Sequence, residues 1–368
     1  MTLYITLIIG AFLLSAICGF IAIPEILNYC KDKNLYDIPD SRKVHKNLVP
    51  RLGGISFMPS MLLSFIIALF VFNSQFGKGT IQISLWSIYF LIGLLLIYSV
   101  GIVDDLIGLS ANIKFVVQII SASLLPLAGL YINNLYGLFG IHEISYWVGV
   151  PLTIFIIVFI CNSMNLIDGI DGLCAGLSEI ALGGFLLTFM EEGLAVYCIL
   201  IAGLMGVLVP YLYFNLFGKS KNNRKIFMGD SGSLTLGFIL SFLFVKLSMD
   251  NRLVMAFEPT RMNIAVSLLL IPTFDVARII IYRLRYHRPI FDADKNHIHH
   301  RLMNLGLTMH QTLITILGLA LAFIAINMLL FPIIGFTYVF LTDIALYTGL
   351  QLIIGAVYQH KLKEECAI

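Results

Sequence analysis

Apolar runs of about 20 residues, the length that crosses a bilayer as an α-helix, recur along the whole of this 368-residue chain. Bilayer hydrocarbon offers a peptide group no hydrogen-bond partner, so only helices and closed barrels can span it. The residue-by-residue alternation of a barrel strand is absent, and the runs are continuous. Composition agrees: 59% of residues are hydrophobic and 12% charged, whereas a soluble domain carries about 25% charged residues. There is too little charge here to cover a water-facing surface. The sequence predicts an all-α polytopic integral membrane protein, with residues 1–368 as a single transmembrane domain.

Eleven spans are predicted, roughly 3–25, 53–73, 84–103, 114–132, 146–162, 173–190, 193–213, 231–249, 262–282, 312–331 and 336–358. The N-terminal run lacks a basic stretch before it and a small-residue cleavage site, so it reads as the first span and not as a signal peptide. No internal repeat is evident, which weighs against a transporter built from inverted halves. Lysine and arginine concentrate in three connections: Lys31, Lys33, Arg42, Lys43, Lys46 and Arg51 in the first; Lys219, Lys221, Arg224 and Lys225 after the seventh span; and Arg283, Arg285, Arg288, Lys295 and Arg301 after the ninth. With eleven spans all three fall on one side, which the positive-inside rule makes cytoplasmic. The N-terminus is then outside and the C-terminus cytoplasmic. The cysteines show no metal-ligand spacing and read as packing residues.

The polar residues that interrupt this pattern cluster on the same side, so the loops that carry them can converge on one site at the membrane surface. In "GIVDDLIG", Asp104 and Asp105 are adjacent carboxylates that need a cation or a lysine to offset their repulsion; Lys114 is the candidate compensator or phosphate ligand. In "NLIDGIDG", Asn165, Asp168 and Asp171 recur every three residues, a spacing that puts neighbours on roughly one face of a helix, with Gly169 and Gly172 between them. Oxygen-only ligands of this kind suit Mg²⁺ or Mn²⁺ better than zinc. "FMGDSGS" places Asp230 just before an apolar run, with Phe227 as an aromatic able to stack on a base and Ser231 or Ser233 as a helix cap. "FDADKNHIHHRL" gathers His297, His299, His300 and Arg301. No cysteine lies nearby to complete a zinc site, and the adjacent basic residues favour phosphate binding. Lys43 in the basic first loop and Asn215 near the end of the seventh span are further substrate-binding candidates. Of the ionisable residues inside apolar runs, Asp275 is expected to pair with Arg278 and Lys246 to snorkel at the outer end of the eighth span. Glu179 and Asp343 find no obvious role. Such a set of carboxylates and cations fits phosphoryl transfer from a soluble Mg²⁺-bound diphosphate to an acceptor held in lipid, catalysed by positioning and charge neutralisation.

The stretches "SRKVHKNLVPRLGG", "VDDLIGL", "NLIDGIDGL", "FMGDSGSLTLG" and "HIHHRLMNLGL", in this order, resemble the bacterial polyprenyl-phosphate N-acetylhexosamine-1-phosphate transferases over about residues 40–312. The resemblance implies a UDP-N-acetylhexosamine donor, an undecaprenyl-phosphate acceptor and release of UMP, in the bacterial cytoplasmic membrane with the site facing the cytoplasm. It implies that Asp104 and Asp105 activate the acceptor phosphate, that Asp230 binds Mg²⁺ with Asn165 sharing the ion, and that Phe227 stacks on uracil. Asp168 and Asp171 would line the nucleotide site and Lys114 would bind phosphate. A homodimer is compatible with the family, and nothing points to nucleic acid. The peptidoglycan branch, which transfers phospho-MurNAc-pentapeptide, tends to carry three successive histidines. Here Ile298 interrupts them, which resembles the branch acting on N-acetylglucosamine for O-antigen, enterobacterial common antigen or teichoic acid. A secondary transporter, or a metal-binding scaffold using the histidine loop alone, is the competing class. The transporter would place its acidic residues at mid-membrane rather than at one surface.

Overall fold

A computed structural model describes residues 2–37, 48–76, 85–251, 255, 257–289 and 296–366. Its helices are α1 (Thr2–Lys33), α2 (Phe57–Phe76), α3 (Leu85–Ile107), α4 (Ala111–Leu127), α5 (Tyr146–Ile167), α6 (Leu173–Glu191), α7 (Ala195–Leu212), α8 (Gly229–Ser248), α9 (Pro259–Leu268), α10 (Leu270–Arg285), α11 (Ile298–Asn304) and α12 (Met309–Cys366). The protein is an all-α multi-pass membrane protein: eight helices among the described residues are long and apolar enough to cross a bilayer.

Each predicted apolar run coincides with helix, but not always as one straight element. The run expected at 262–282 is broken into α9 and α10, which meet at 67°. Pro272 lies in the first turn of α10, where its missing N–H costs nothing, whereas inside a continuous helix it would remove a hydrogen bond and clash with the preceding turn. The 58-residue α12 is interrupted at Gly335, whose φ of 74° and ψ of 172° are non-helical. It therefore comprises two apolar segments, as the two predicted runs required. One element was not foreseen: residues Asn134–Leu138 (β1) and Ile141–Glu143 (β2) form an antiparallel hairpin, closed through positive φ at Phe139 and Gly140.

The centre of the bundle is α8. Every residue from Ser231 to Ser248 is buried, with α3 and α5 packed along it. Polar side chains on α8 are small serines and threonines, except Asp230 in its first turn and Lys246 near its end. The expectation that Lys246 snorkels fails: it is fully buried, its Nζ held 4.0 Å from the centre of the Trp86 ring. A cation over an indole face is stabilised without leaving the protein. Asp343 pairs with buried Asn327, which donates Nδ2 to it at 2.9 Å.

Candidate active site

Where the C-terminal ends of α3, α5 and α7 meet the N-terminal ends of α4 and α8, the polar stretches come together. Gly101 lets α3 approach α8 closely, since a Cβ there would lie 2.5 Å from Ser231 Cα. This contact sets the two carboxylates at the end of α3 beside the first turn of α8.

The neighbouring carboxylates have different partners. Asp105 accepts the backbone N–H of Asp230 at 2.8 Å and that of Ser231 at 2.9 Å, one on each oxygen. First-turn amides have no partner inside their own helix, and a negative charge at that end also opposes the helix dipole. The cap of α8 is thus Asp105, contributed by α3, and not Ser231 or Ser233 as expected from the sequence. The Ser233 hydroxyl donates to Gly229 O at 3.0 Å and accepts from Asn165 Nδ2 at 2.9 Å. Gly229 is required where it stands: its φ is +73°, and a Cβ would overlap the Arg51 carbonyl and lie 2.5 and 2.6 Å from the Asp105 oxygens. Asp104 has no such role on α8. Its Oδ1 accepts the Leu109 N–H at 2.7 Å, and its Oδ2 lies 3.4 Å from Lys114 Nζ. The same ammonium lies 2.7 Å from Asp230 Oδ2, so Lys114 bridges Asp104 and Asp230.

This division makes a prediction. Asp105→Asn sets an amide NH₂ against a backbone N–H and strands a buried donor, at about 1–3 kcal/mol. Asp104→Asn breaks no inter-helix cap. Thermal unfolding in detergent should therefore show a lowered midpoint for Asp105→Asn and a near wild-type one for Asp104→Asn. Equal midpoints would refute the assignment.

Asn165, Asp168 and Asp171 do not share a helix face. Helix α5 ends at Ile167 with Asp168 as its C-terminal cap, and the chain turns through Gly172 at φ 75° into α6. Asn215 clasps this turn: its Oδ1 accepts the Gly172 N–H at 2.7 Å while its Nδ2 donates to Ile226 O at 2.8 Å. Lys225 donates to Asp171 Oδ2 at 2.6 Å and to Asn215 O at 2.9 Å. Burial, followed by the nearby charges of Asp230, Asp171 and Asp105, pushes the Asp168 carboxyl up to about 8. A cation in this recess would reverse that effect.

Together these residues wall a cavity of about 550 Å³, within the range of small-ligand sites. Of the predicted residues Asp105, Asn165, Asp168, Asp171, Asn215, Phe227, Asp230 and His300 line it. Asp104 and Lys114 do not line it and are joined to it through Asp230, whose Oδ2 lies 2.7 Å from Lys114 Nζ. Arg51, which the sequence marks only as one member of the basic first loop, and Lys225, which no motif marks, also line the cavity. Arg51 donates Nε to Asp105 O at 2.9 Å, and its own strand-like segment is fastened by Phe227 N to Pro50 O at 2.7 Å and Gly53 N to Phe227 O at 2.9 Å. Both were visible only as loop basic residues, indistinguishable from those that orient the chain. Lys43, Asp292, Asp294 and Lys295 lie outside the described residues.

The histidines sit on α11 and its preceding residue and do not act as one group. His300 reaches the cavity. His299 is buried against Gly169, its two ring nitrogens without a partner among the described residues. Burial first, and then the neighbouring His300 and His297, push it down to about 3, so it stays neutral. Arg301 turns away from the cavity and donates to Gln351, its Nη2 lying 2.9 Å from the Gln351 carbonyl.

For a divalent cation, Asp104, Asp105 and Asp230 offer carboxylate oxygens within 4.8 Å of one another. Both Asp105 oxygens already serve backbone amides, which leaves Asp230, with the nearby Asn165 amide, as the better donors. The set is all oxygen, and several positions remain for water or phosphate, as Mg²⁺ prefers.

The family described as Glycosyl transferase family 4 matches residues 87–248. The chain is 31% identical to the probable undecaprenyl-phosphate N-acetylglucosaminyl 1-phosphate transferase of Bacillus subtilis, over 84% of this chain and 81% of that protein. It is 32% identical to the undecaprenyl-phosphate alpha-N-acetylglucosaminyl 1-phosphate transferase of Yersinia pestis, over 79% and 76%. With the protein of that name from Escherichia coli K12 it shares 30% identity over 80% and 77%. The segment 87–248 contains Asp104, Asp105, Lys114, the Asn165–Gly172 turn and Asp230.

Proposed function

The chain belongs to glycosyl transferase family 4, and from that premise we propose that it transfers N-acetylglucosamine 1-phosphate from a UDP-sugar to undecaprenyl phosphate, releasing UMP. The observation that carries this reading is the Asp104–Lys114–Asp230 triad at the edge of a nucleotide-sized cavity, at the end of a bundle of apolar helices. A lipid phosphate can reach that edge from the bilayer while a soluble nucleotide enters the cavity.

In the proposed reaction an oxygen of the lipid phosphate attacks the β-phosphorus of the donor, and the bond from that phosphorus to the oxygen of UMP breaks. One phosphoanhydride replaces another, so the step is close to thermoneutral and UMP should inhibit. Asp104 orients the lipid phosphate or takes its proton, being the member of the pair not committed to capping α8. Lys114 neutralises phosphoryl charge. Asp230 and Asn165 would hold Mg²⁺, which supplies neutralisation of the diphosphate. Phe227 offers a ring to the uracil, and His300 a polar wall to the phosphates. The lysines and arginines concentrated in the loops of this end support the reading of a cytoplasmic site in a bacterial inner membrane.

The test is transfer of label from UDP-[³H]GlcNAc to undecaprenyl phosphate by purified protein in detergent, with Mg²⁺ or EDTA, and with UDP-MurNAc-pentapeptide as an alternative donor. Label is expected in the lipid phase with the GlcNAc donor only, and chelation should abolish it. Full activity in EDTA would refute the metal assignment. Transfer from the pentapeptide donor would move the protein to the peptidoglycan branch, and no lipid product from any UDP-N-acetylhexosamine would refute the enzyme.

A further inference from the structure

Asp275 lies outside the cavity, yet four donors converge on its carboxylate. It is fully buried on α10. Its Oδ2 lies 2.8 Å from His297 Nδ1. Its Oδ1 accepts the Ile298 backbone N–H at 3.1 Å, an Arg278 Nη2–H at 3.0 Å and the Tyr347 hydroxyl at 3.2 Å. Arg278 also donates to the Asn296 carbonyl. These partners come from three elements: Arg278 from α10, Asn296–Ile298 from the start of α11, and Tyr347 from the part of α12 beyond Gly335. A buried carboxylate persists only where it is fully paired, so the three elements must close on Asp275 together.

The consequence runs into the cavity. The His297 ring stacks on His299 at 5.8 Å and 8°, and the His299 ring contacts His300 at 4.3 Å. His299 rests on the backbone of Gly169, in the same turn as Asp168 and Asp171. The other end of α11 is held by Arg301 on Gln351. Neither end of the histidine element is free to shift.

We propose that Asp275 is a positioning residue for the transfer reaction: by accepting from His297 Nδ1 and Ile298 N it fixes the His297 tautomer and sets the three rings, so that His300 stands correctly in the cavity wall. This rests on the transfer reading above. A carboxylate bound to Nδ1–H leaves Nε2 as the accepting nitrogen, in the way that ligating or catalytic histidines are oriented by a second group.

The test uses full-length protein labelled with ¹⁵N-histidine in lipid bilayers, the His297 signals being identified by their loss in His297→Gln. The wild type should show a protonated Nδ1 at His297. In Asp275→Asn an amide NH₂ faces the ring, so Nδ1 becomes the acceptor and the proton moves to Nε2, and kcat/KM for UDP-GlcNAc falls about 10- to 100-fold. A folded Asp275→Asn protein with an unchanged tautomer, or with unchanged kinetics, overturns the proposal. If that variant does not fold, Tyr347→Phe decides, because it removes a single hydroxyl. It should move the His297 Nδ1 resonance and lower kcat/KM about threefold, and wild-type values for either overturn the proposal. Because the tautomer is read without turnover, protein with Nδ1-protonated His297 but no transfer activity would refute the function and not the placement of the histidines.

Discussion

Asp230→Asn should lower transfer of N-acetylglucosamine 1-phosphate by about a hundred- to a thousandfold while the protein stays folded. The fold depends on Asp230 through its backbone N–H, which Asp105 accepts at 2.8 Å and which the substitution keeps. The reaction depends on its carboxylate, which faces Lys114 at 2.7 Å in the cavity. Removing one preorganised group aimed at developing charge costs about that much in rate, and loss of the charge also leaves Lys114 with Asp104 alone. Steady-state kinetics beside thermal unfolding separates the two effects. Activity within tenfold of wild type would remove Asp230 from the chemistry, and a collapsed unfolding midpoint would show that the side chain is structural.

Gly229→Ala is the second large effect, and it acts through the backbone. An L-residue at φ +73° costs about 1–2 kcal/mol in local strain, and the new methyl would press on the Arg51 carbonyl and both Asp105 oxygens. Relief requires the cap to open, so Asp104, Asp105 and Asp230 lose their mutual geometry. Transfer should fall to background and the unfolding midpoint by at least about 3 °C. Gly183→Ala in α6 is the control, since a Cβ there meets nothing within 4 Å, and it should match wild type in both measurements. Comparable losses in the two variants would mean that the helices, and not the Asp105 cap, are what glycine protects.

Much of the architecture was legible because the information is local. A run of about 20 apolar residues must become a helix in lipid whatever surrounds it, and each predicted run is helical. The gathering of carboxylates at one end was legible for a related reason: polar loops between spans of fixed length can lie only at one surface or the other. Asp230, Asn165, Asp168 and Asp171 were found in that way and do line one cavity. The break between α9 and α10 was half-written in Pro272. The hairpin at 134–143 was not, since its strands are short and alternate weakly.

What each site residue does was decided by tertiary structure. Asp104 and Asp105 are adjacent and chemically identical, and the choice between them depends on an amide 125 positions away. Asn165, Asp168 and Asp171 keep a helical spacing, but the helix stops at Ile167 because the chain must turn at Gly172 under the Asn215 clasp. Arg301 has the charge of a phosphate ligand and spends it on Gln351, 50 positions on. Asp275 could be paired with Arg278 from spacing alone, whereas its hold on His297 and Tyr347 could not be read. The sequence by itself determined a helical membrane protein with an acidic, basic-flanked site at one end, since length, hydropathy and charge act within a single span. The packing of α3, α10 and α12 around α8 and α11 determined which carboxylate caps, which bridges Lys114 and which positions the histidines, because hydrogen bonds act over about 3 Å between residues that the chain itself keeps far apart.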